Sequence, residues 1–273
     1  MSLTPGIPFA DYLALPGLSI SNLKVLRESP LKYLHNLTAP RTETAAMALG
    51  TAAHTAILEP RKFNPAVFTG ATRRGKEWDA FLAAHAGEII LKQDDLDLVE
   101  GMRNSVRSYG PAMRYLVDGQ AELTMQWADP ATGRKCRGRI DWLTAIDGRP
   151  VIVDLKTTRS AKPFAFGGQA AKLGYHLQLA YYFDGFTAIT GETPAMKIIA
   201  VESSAPFEPA VFSIPEDMIL QGREEYQQLL QRLAECEETN NWPPALETES
   251  DLSLPTWAYG SEDDDVSGLG LIA

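Results

Sequence analysis

The stretch Arg137–Thr158, RGRIDWLTAIDGRPVIVDLKTT, constrains the fold more than any other part of the chain. Apolar, β-branched runs flank Asp147-Gly148. Asp-Gly between such runs is a strong hairpin signal, because a two-residue type I′ turn needs positive φ at both positions. With Asp147 and Gly148 as the loop, cross-strand partners carry numbers summing to 295, so Asp141 faces Asp154. Side chains directly opposite on one face lie about 5 Å apart at Cβ. Strand alternation puts Lys156 on that face as well, with Val153 and Leu155 on the other. Two carboxylates and an ammonium group therefore converge.

Two unpaired carboxylates at that separation repel each other. A divalent cation relieves the repulsion, and oxygen-only ligation suits Mg²⁺. Lys156 would offset a developing oxyanion or orient an attacking water. The same residues also suit a surface hairpin with an ordinary Asp–Lys cross-strand pair. The charge around them bears on the choice. Arg134–Lys162 holds eight bases and three acids, an excess of +5, which is the setting a polyanionic substrate requires. Local counter-charge for the acids is the other reading. The net charge of −10 comes from Glu235–Ala273, with ten acids and no Lys or Arg, and residues 1–234 are neutral.

At 273 residues, with 45% hydrophobic and 22% charged side chains, the chain reads as a soluble globule of one large α/β domain or two small ones. No apolar run approaches the roughly 20 residues that span a bilayer. The opening MSLTPGIPFADY has no basic segment followed by an apolar one, so no secretory signal and no membrane partner are expected. Cys136 and Cys236, far apart, give no metal or disulfide pattern, and the expected location is the cytoplasm.

Elsewhere, residues 1–17 are punctuated by Pro and Gly and read as extended. Ser19 or Ser21 can cap a helix over Asn22–Leu37, with Lys24, Arg27 and Lys32 off its apolar stripe. Those three are solvated charges or phosphate contacts. Thr44–Glu59 reads as an Ala-rich helix with His54 at its centre. TRRGKEW is a basic loop, with Arg73, Arg74 and Lys76 around Gly75, leading into a helix near Glu77–Ala86. Further helices are predicted over Asp94–Tyr115, Ala170–Ile189 and Pro215–Thr239, with a polar connection over Thr157–Gly168. Strands are predicted over Gln120–Ala128, with Glu122, Thr124 and Gln126 on one face, and over Met196–Glu202 and Ala210–Ile214. Gln178 and Tyr182 stand at i and i+4, hence on one helix face. The tail, TWAYGSEDDDVSGLGLIA, is acidic and Gly-rich and reads as a mobile or solubilising extension, or as a docking segment. Walker A, dinucleotide and nucleophile-elbow patterns are absent.

In order, the chain offers His54 on a helix, Glu122 on a strand, Gly138-Arg139-Ile140-Asp141, Asp154-Leu155-Lys156 and Gln178-x-x-x-Tyr182. This set resembles the PD-(D/E)XK nuclease superfamily in its RecB-like branch, and most of all the RecE-type (exonuclease VIII-like) phage exonucleases. SISNLKVLRESPLKYL, ALGTAAHTAIL and TRRGKEW resemble that family too, so the likeness spans residues 18–190. It implies a restriction-endonuclease-like core, a central mixed β-sheet flanked by helices, forming one domain over residues 1–260 with its N-terminal helical part, followed by the tail at 261–273. It implies a Mg²⁺-dependent exonuclease, with Mn²⁺ able to substitute and one or two ions per site. Such an enzyme degrades one strand of linear double-stranded DNA 5′→3′ and leaves 3′ tails for a single-strand annealing protein in phage-type recombination. By the same resemblance His54, Asp141 and Asp154 are metal ligands with the Leu155 carbonyl, and Lys156 is the catalytic lysine. Gln178 and Tyr182 order DNA and active-site groups. Glu122 reaches a second metal through water or supports the sheet. Candidates for DNA contact are Arg27, Arg73, Arg74, Lys76, Arg137, Arg139 and Thr157. A ring-shaped trimer or tetramer that threads DNA ends, and a phage or prophage origin in a bacterial cytoplasm, are implied by resemblance alone.

The rival readings are a RecB-like endonuclease, a Cas4-like enzyme, a non-catalytic DNA-binding subunit with a nuclease fold, and a metallohydrolase of another substrate class. Two cysteines cannot supply the four ligands of a Cas4-type iron–sulfur cluster. The intact Asp, Asp, Lys and His argue against a silent site.

Overall fold

The computed structural model describes residues 1–39 and 44–254, so the tail at 261–273 lies outside the described residues. In chain order the elements are β1 (Ser2–Thr4), α1 (Phe9–Ala14), β2 (Leu18–Ser19), α2 (Ile20–Glu28), α3 (Pro30–Asn36), α4 (Ala45–Leu58), β3 (Ala66–Phe68), α5 (Lys76–Ala84), β4 (Ile90–Lys92), α6 (Gln93–Ser108), α7 (Gly110–Leu116), β5 (Gln120–Ala128), β6 (Lys135–Ile146), β7 (Arg149–Thr158), α8 (Pro163–Lys172), α9 (Tyr175–Thr190), β8 (Ala195–Glu202), β9 (Pro209–Ser213) and α10 (Glu216–Thr239).

Among the described residues a seven-stranded mixed sheet runs β1-β5-β6-β7-β8-β9, with β2 alongside β6, and β3 pairs with β4 in a small separate sheet. The β6–β7 hairpin turns at Asp147 and Gly148, with φ of 50° and 77°, as a type I′ turn demands. Its register is the expected one: Trp142 pairs with Val153 and Ile146 with Arg149. Two helical layers cover the sheet. Ala52, Ala53, Ala56 and Ile57 of α4 pack with α6 and α7 against Val151, Val153 and Leu155. Leu23 and Leu26 of α2, together with α9 and α10, pack against Leu123, Ile140 and Ile152 on the other face. Each fully buried Val, Leu or Ile among them contributes about 1.5–3 kcal/mol. This is the mixed sheet between helices that the sequence predicts. No helix among the described residues is long and apolar enough to cross a membrane.

Several boundaries differ from expectation, and each has a local cause. Residues 1–17 are not simply extended: Ser2–Thr4 adds an edge strand to β5, and Phe9–Ala14 is helical. The helix expected over Asn22–Leu37 breaks at Ser29, because Pro30 has no N–H to donate and pushes its predecessor into extended backbone. Ser29 then caps α3 by accepting a hydrogen bond from the Lys32 N–H at 3.2 Å. Tyr109, extended ahead of Gly110-Pro111, divides the helix expected over Asp94–Tyr115 into α6 and α7. The connection expected over Thr157–Gly168 contains the start of α8 at Pro163, and left-handed Gly174 separates α8 from α9. The expected alternation of Glu122, Thr124 and Gln126 also fails at its first member, since Glu122 has φ 55°.

Helices α9 and α10 cross in close contact at Gly222. A Cβ there would lie 2.1 Å from the His176 carbonyl oxygen. Ala is normally better than Gly inside a helix by about 1 kcal/mol. Here overpacking, at about 1–3 kcal/mol or more, reverses the sign. Gly222→Ala is expected to lower the stability by about 2 kcal/mol, read as a lower urea midpoint at unchanged slope. A stabilised variant would mean that α9 and α10 lie farther apart.

Candidate active site

The pairing between β6 and β7 stops at Trp142–Val153, one residue short of Asp141 and Asp154. Before that point β6 has a different neighbour: Leu18 and Ser19 of β2 pair in parallel with Cys136 and Arg137. Asp141 thus stands where β7 parts from β6. Its side chain fills the gap in the ladder, Oδ2 accepting from the Leu155 backbone N–H at 2.9 Å. The same residue marks a change of face. Ala121 and Trp142 pack on the α4 side of the sheet, but Leu123 and Ile140 pack on the α9 side. Regular alternation would keep residues two apart on one face. Glu122, in its left-handed conformation, and Asp141 are the residues over which both strands turn.

Helix α4 brings His54 to this junction. Its alanines let the helix lie close to the sheet, and His54 Nδ1 comes to 3.7 Å from Asp141 Oδ2. Asp154 points to the opposite helical layer. It is 2% exposed, Oδ2 has Lys156 Nζ at 2.7 Å, and Oδ1 accepts from Gln178 Nε2 at 2.7 Å. Oδ2 meets only the Lys156 ammonium, and a carboxylate oxygen with one partner keeps acceptor capacity. Gln178 Oε1 in turn accepts from Lys24 Nζ at 3.0 Å. Lys24 and Lys156 both approach the ring of Tyr175, at 5.6 and 5.0 Å from its centroid.

The electrostatics follow from burial. Burial raises the Asp154 carboxyl above the usual carboxylate range, with Lys156 opposing and Asp141 reinforcing. Burial works against the Lys156 ammonium, but Asp154 and Asp141 outweigh it and hold it protonated. Burial and the Lys156 charge push Lys24 down to about 8. Burial and Asp141 push Glu122 up, with Arg139 and His54 opposing. Burial holds Tyr182 well above the ordinary phenol range; the ring lies against Gly138.

The residues singled out in the sequence are therefore distributed as follows. Asp141 and His54 meet on one side of the junction; Asp154, Lys156 and Gln178 meet on the other. Tyr182 lies one turn beyond Gln178, buried. Glu122 pairs with Arg139 and lies within electrostatic reach of Asp141 and His54. Arg27 is held by Glu225 at 2.6 Å, Arg73 pairs with Asp95, and Arg137 donates to the Leu15 carbonyl. Arg74 and Lys76 are exposed ahead of and at the start of α5, and Thr157 follows Lys156 beside Gly50. Sequence reasoning passed over Tyr175 and read Lys24 as a solvated charge or a phosphate contact, whereas Lys24 bonds Gln178. Tyr175 precedes Gln178 by three residues, a same-face spacing on a helix that could have revealed it. Nothing local sets Lys24 apart from its solvated neighbours.

The donor types expected here, an imidazole nitrogen, two carboxylates and a backbone carbonyl, would suit Mg²⁺ or Mn²⁺. The Oδ2 of buried Asp154, met only by the Lys156 ammonium, and the short His54–Asp141 gap are the features that would take such an ion. In the present rotamers no three His, Cys, Asp or Glu side chains among the described residues gather closely enough to hold one. An ion there competes with the Lys156 ammonium for Asp154 Oδ2.

No curated protein matches the chain. A crystal structure of a protein from Eubacterium rectale, provisionally described as an exonuclease, aligns over 98% of this chain and 100% of its own at 15% identity and a TM-score of 0.63, and so shares the fold. The structure of the protein SSO0001 aligns over 83% of this chain and 89% of its own at 14% identity; its TM-score of 0.32 carries no argument. The family described as a PDDEXK-like domain of unknown function, DUF3799, matches residues 19–249, and the chain belongs to that family.

Proposed function

We propose that the chain is a divalent-metal-dependent exonuclease that degrades one strand of linear double-stranded DNA 5′→3′. The 3′ single strands left behind would feed recombination by strand annealing, and the active form would be a ring-shaped trimer or tetramer around the duplex. The observation that carries the reading is the junction of β6 and β7, with Asp141 and His54 on one side of it and Asp154 and Lys156 on the other, in a chain of the PDDEXK-like family. The provisional exonuclease description of the Eubacterium rectale protein agrees with it. Polarity, ring and annealing partner rest on the resemblance to RecE-type enzymes.

Each group in the site has work that suits phosphodiester hydrolysis. His54, Asp141, Asp154 and the Leu155 carbonyl would hold the cation. Bound there, a divalent ion acidifies water and neutralises charge on the phosphate oxygens. Lys156 stays protonated beside Asp154, ready to offset charge that develops on a non-bridging oxygen. Gln178 fixes the Asp154 carboxylate in its plane.

Linear duplex labelled separately at each 5′ and 3′ end, digested with Mg²⁺, tests the reading directly. Label should leave 5′ ends first as mononucleotides, and covalently closed circular duplex should survive. Cleavage of the circle would replace the exonuclease by an endonuclease. Lys156→Ala and Asp154→Ala should each lower turnover by about 10³-fold or more, with duplex affinity within about threefold of wild type. Near-normal turnover in either variant would remove these groups from the chemistry. Mn²⁺ should replace Mg²⁺, whereas Ca²⁺, which prefers 6–8 oxygens at roughly 2.3–2.6 Å, should bind without supporting turnover. Rapid digestion in Ca²⁺ would contradict the small, imidazole-containing site.

A further inference from the structure

We propose that Lys24 is a positioning residue for the centre described above, setting the Gln178 amide so that Asp154 presents Oδ2 to Lys156 and the cation. The proposal rests on that reading of the site. Its basis is a chain of four groups in contact: Lys24 Nζ to Gln178 Oε1 at 3.0 Å, Gln178 Nε2 to Asp154 Oδ1 at 2.7 Å, and Asp154 Oδ2 to Lys156 Nζ at 2.7 Å.

The chemistry of the two ends dictates the orientation of the middle. An ammonium can only donate and a carboxylate can only accept. An amide between them has one orientation that satisfies both. Turned over, its NH₂ would meet an ammonium and its oxygen would meet a carboxylate. Without Lys24, water or another donor could satisfy either end of Gln178, and the amide would lose its single setting. Asp154 Oδ1 would then be intermittently unfilled, and the carboxylate would be free to rotate.

Lys24 is well placed to act as a fixed reference. Leu23 and Leu26, on either side of it in α2, are fully buried. Ser19 and Asn22 close a reciprocal capping box at the start of the same helix. Tyr175 lies against both Lys24 and Lys156, so its ring attracts both ammoniums where direct contact would repel them. The ring is held in turn: its hydroxyl accepts from Gln169 Nε2 at 3.2 Å, and Gln169 Oε1 accepts from Thr158 Oγ1 at 2.9 Å. Thr158 ends β7, so the reference frame returns to the strand that carries Asp154 and Lys156. A second cation buried beside Lys156 is unfavourable, as its lowered pKa records, and an apolar side chain there would be easier to bury.

The test is a double-mutant cycle on the full chain: wild type, Lys24→Met, Gln178→Ala and the double variant, with Lys24→Arg as the conservative control. Mn²⁺ affinity is measured by titration calorimetry, and kcat and KM on linear duplex with Mn²⁺. Lys24→Met should weaken Mn²⁺ binding by about tenfold and lower kcat by about 10–100-fold, with KM within about threefold. Lys24→Arg should stay within about threefold of wild type in both. In the Gln178→Ala background, Lys24→Met should add less than about twofold, because the group it orients is gone. A folded Lys24→Met variant within about twofold of wild type in affinity and kcat overturns the proposal, as does full additivity with Gln178→Ala. Should Lys24→Met not fold, Lys24→Ala is held to the same limits. Wild type that binds Mn²⁺ but leaves DNA intact removes the nuclease reading and leaves the positioning claim to the affinity cycle. Wild type that binds no Mn²⁺ removes both.

Discussion

The parting of β6 from β7 at Asp141 is the constraint on which the site depends. A buried backbone N–H left unpaired costs about 1–3 kcal/mol. Where the strands separate, Leu155 would be such a group, and the Asp141 carboxylate supplies its acceptor. Closing the ladder and aiming the carboxylate are therefore one interaction. It fixes Asp141 relative to β7, and so relative to Asp154 and Lys156, without a rigid loop. Parallel pairing with β2 on the other side of the fork gives β6 a new neighbour where β7 has left it.

Energetically, the pair at the centre is near balance. At 2.7 Å and an effective dielectric near 20, Asp154 and Lys156 attract by about 6 kcal/mol. Removing two such charges from water costs several kcal/mol each. The pair is thus no net source of stability, and Lys24, a third buried charge, makes the region worse. What holds the fold is the apolar packing on both faces of the sheet, such as Leu23, Leu26, Ile57, Ile140, Ile152 and Leu177, all fully buried. The polar centre is tolerated because that packing surrounds it, and its charges gain their full effect because little water screens them.

What could be read from the sequence divides along physical lines. The hairpin was legible because Asp147-Gly148 is a local signal and a period of two then fixes register over its whole length. The Ala-rich α4 and the long α10 were legible from local signals too, a run of small residues in one and Pro215 at the start of the other. Breaks within helices were missed at Ser29-Pro30, Tyr109-Gly110-Pro111 and Leu173-Gly174, although each contains a Pro or Gly that forbids or disfavours continuation; the apolar stripe on either side masked them. The change of face at Glu122 had no local signal at all. A Glu in a left-handed conformation is stabilised by what surrounds it, and that is set by contacts distant in sequence. Lys24 was hidden likewise, since Gln178 is its neighbour only after α2 and α9 have docked on one face of the sheet.

Charge gives the last step. The excess of bases over Arg134–Lys162 suggests a ready-made surface for a polyanion, yet much of it is already paired with acids: Arg134 meets Glu237, Arg139 meets Glu122 and Lys156 meets Asp154. Lys135, Arg149, Arg159 and Lys162 are the exposed members. Arg149 opens β7 beside the hairpin turn, whereas Arg159 and Lys162 follow Thr158 at the strand's end, a few residues past Lys156. Arg74 and Lys76 add exposed charge at the start of α5. On the proposed function, attraction of DNA would fall to side chains at strand and helix ends, where long, hydrated ammonium and guanidinium groups can follow a moving backbone. The arginines nearest the acids are engaged in holding the acids' own scaffold. On that proposal, the separation of tasks would let a site built from buried charges lie beneath a substrate whose phosphates would otherwise compete with Asp141 and Asp154 for the same cations.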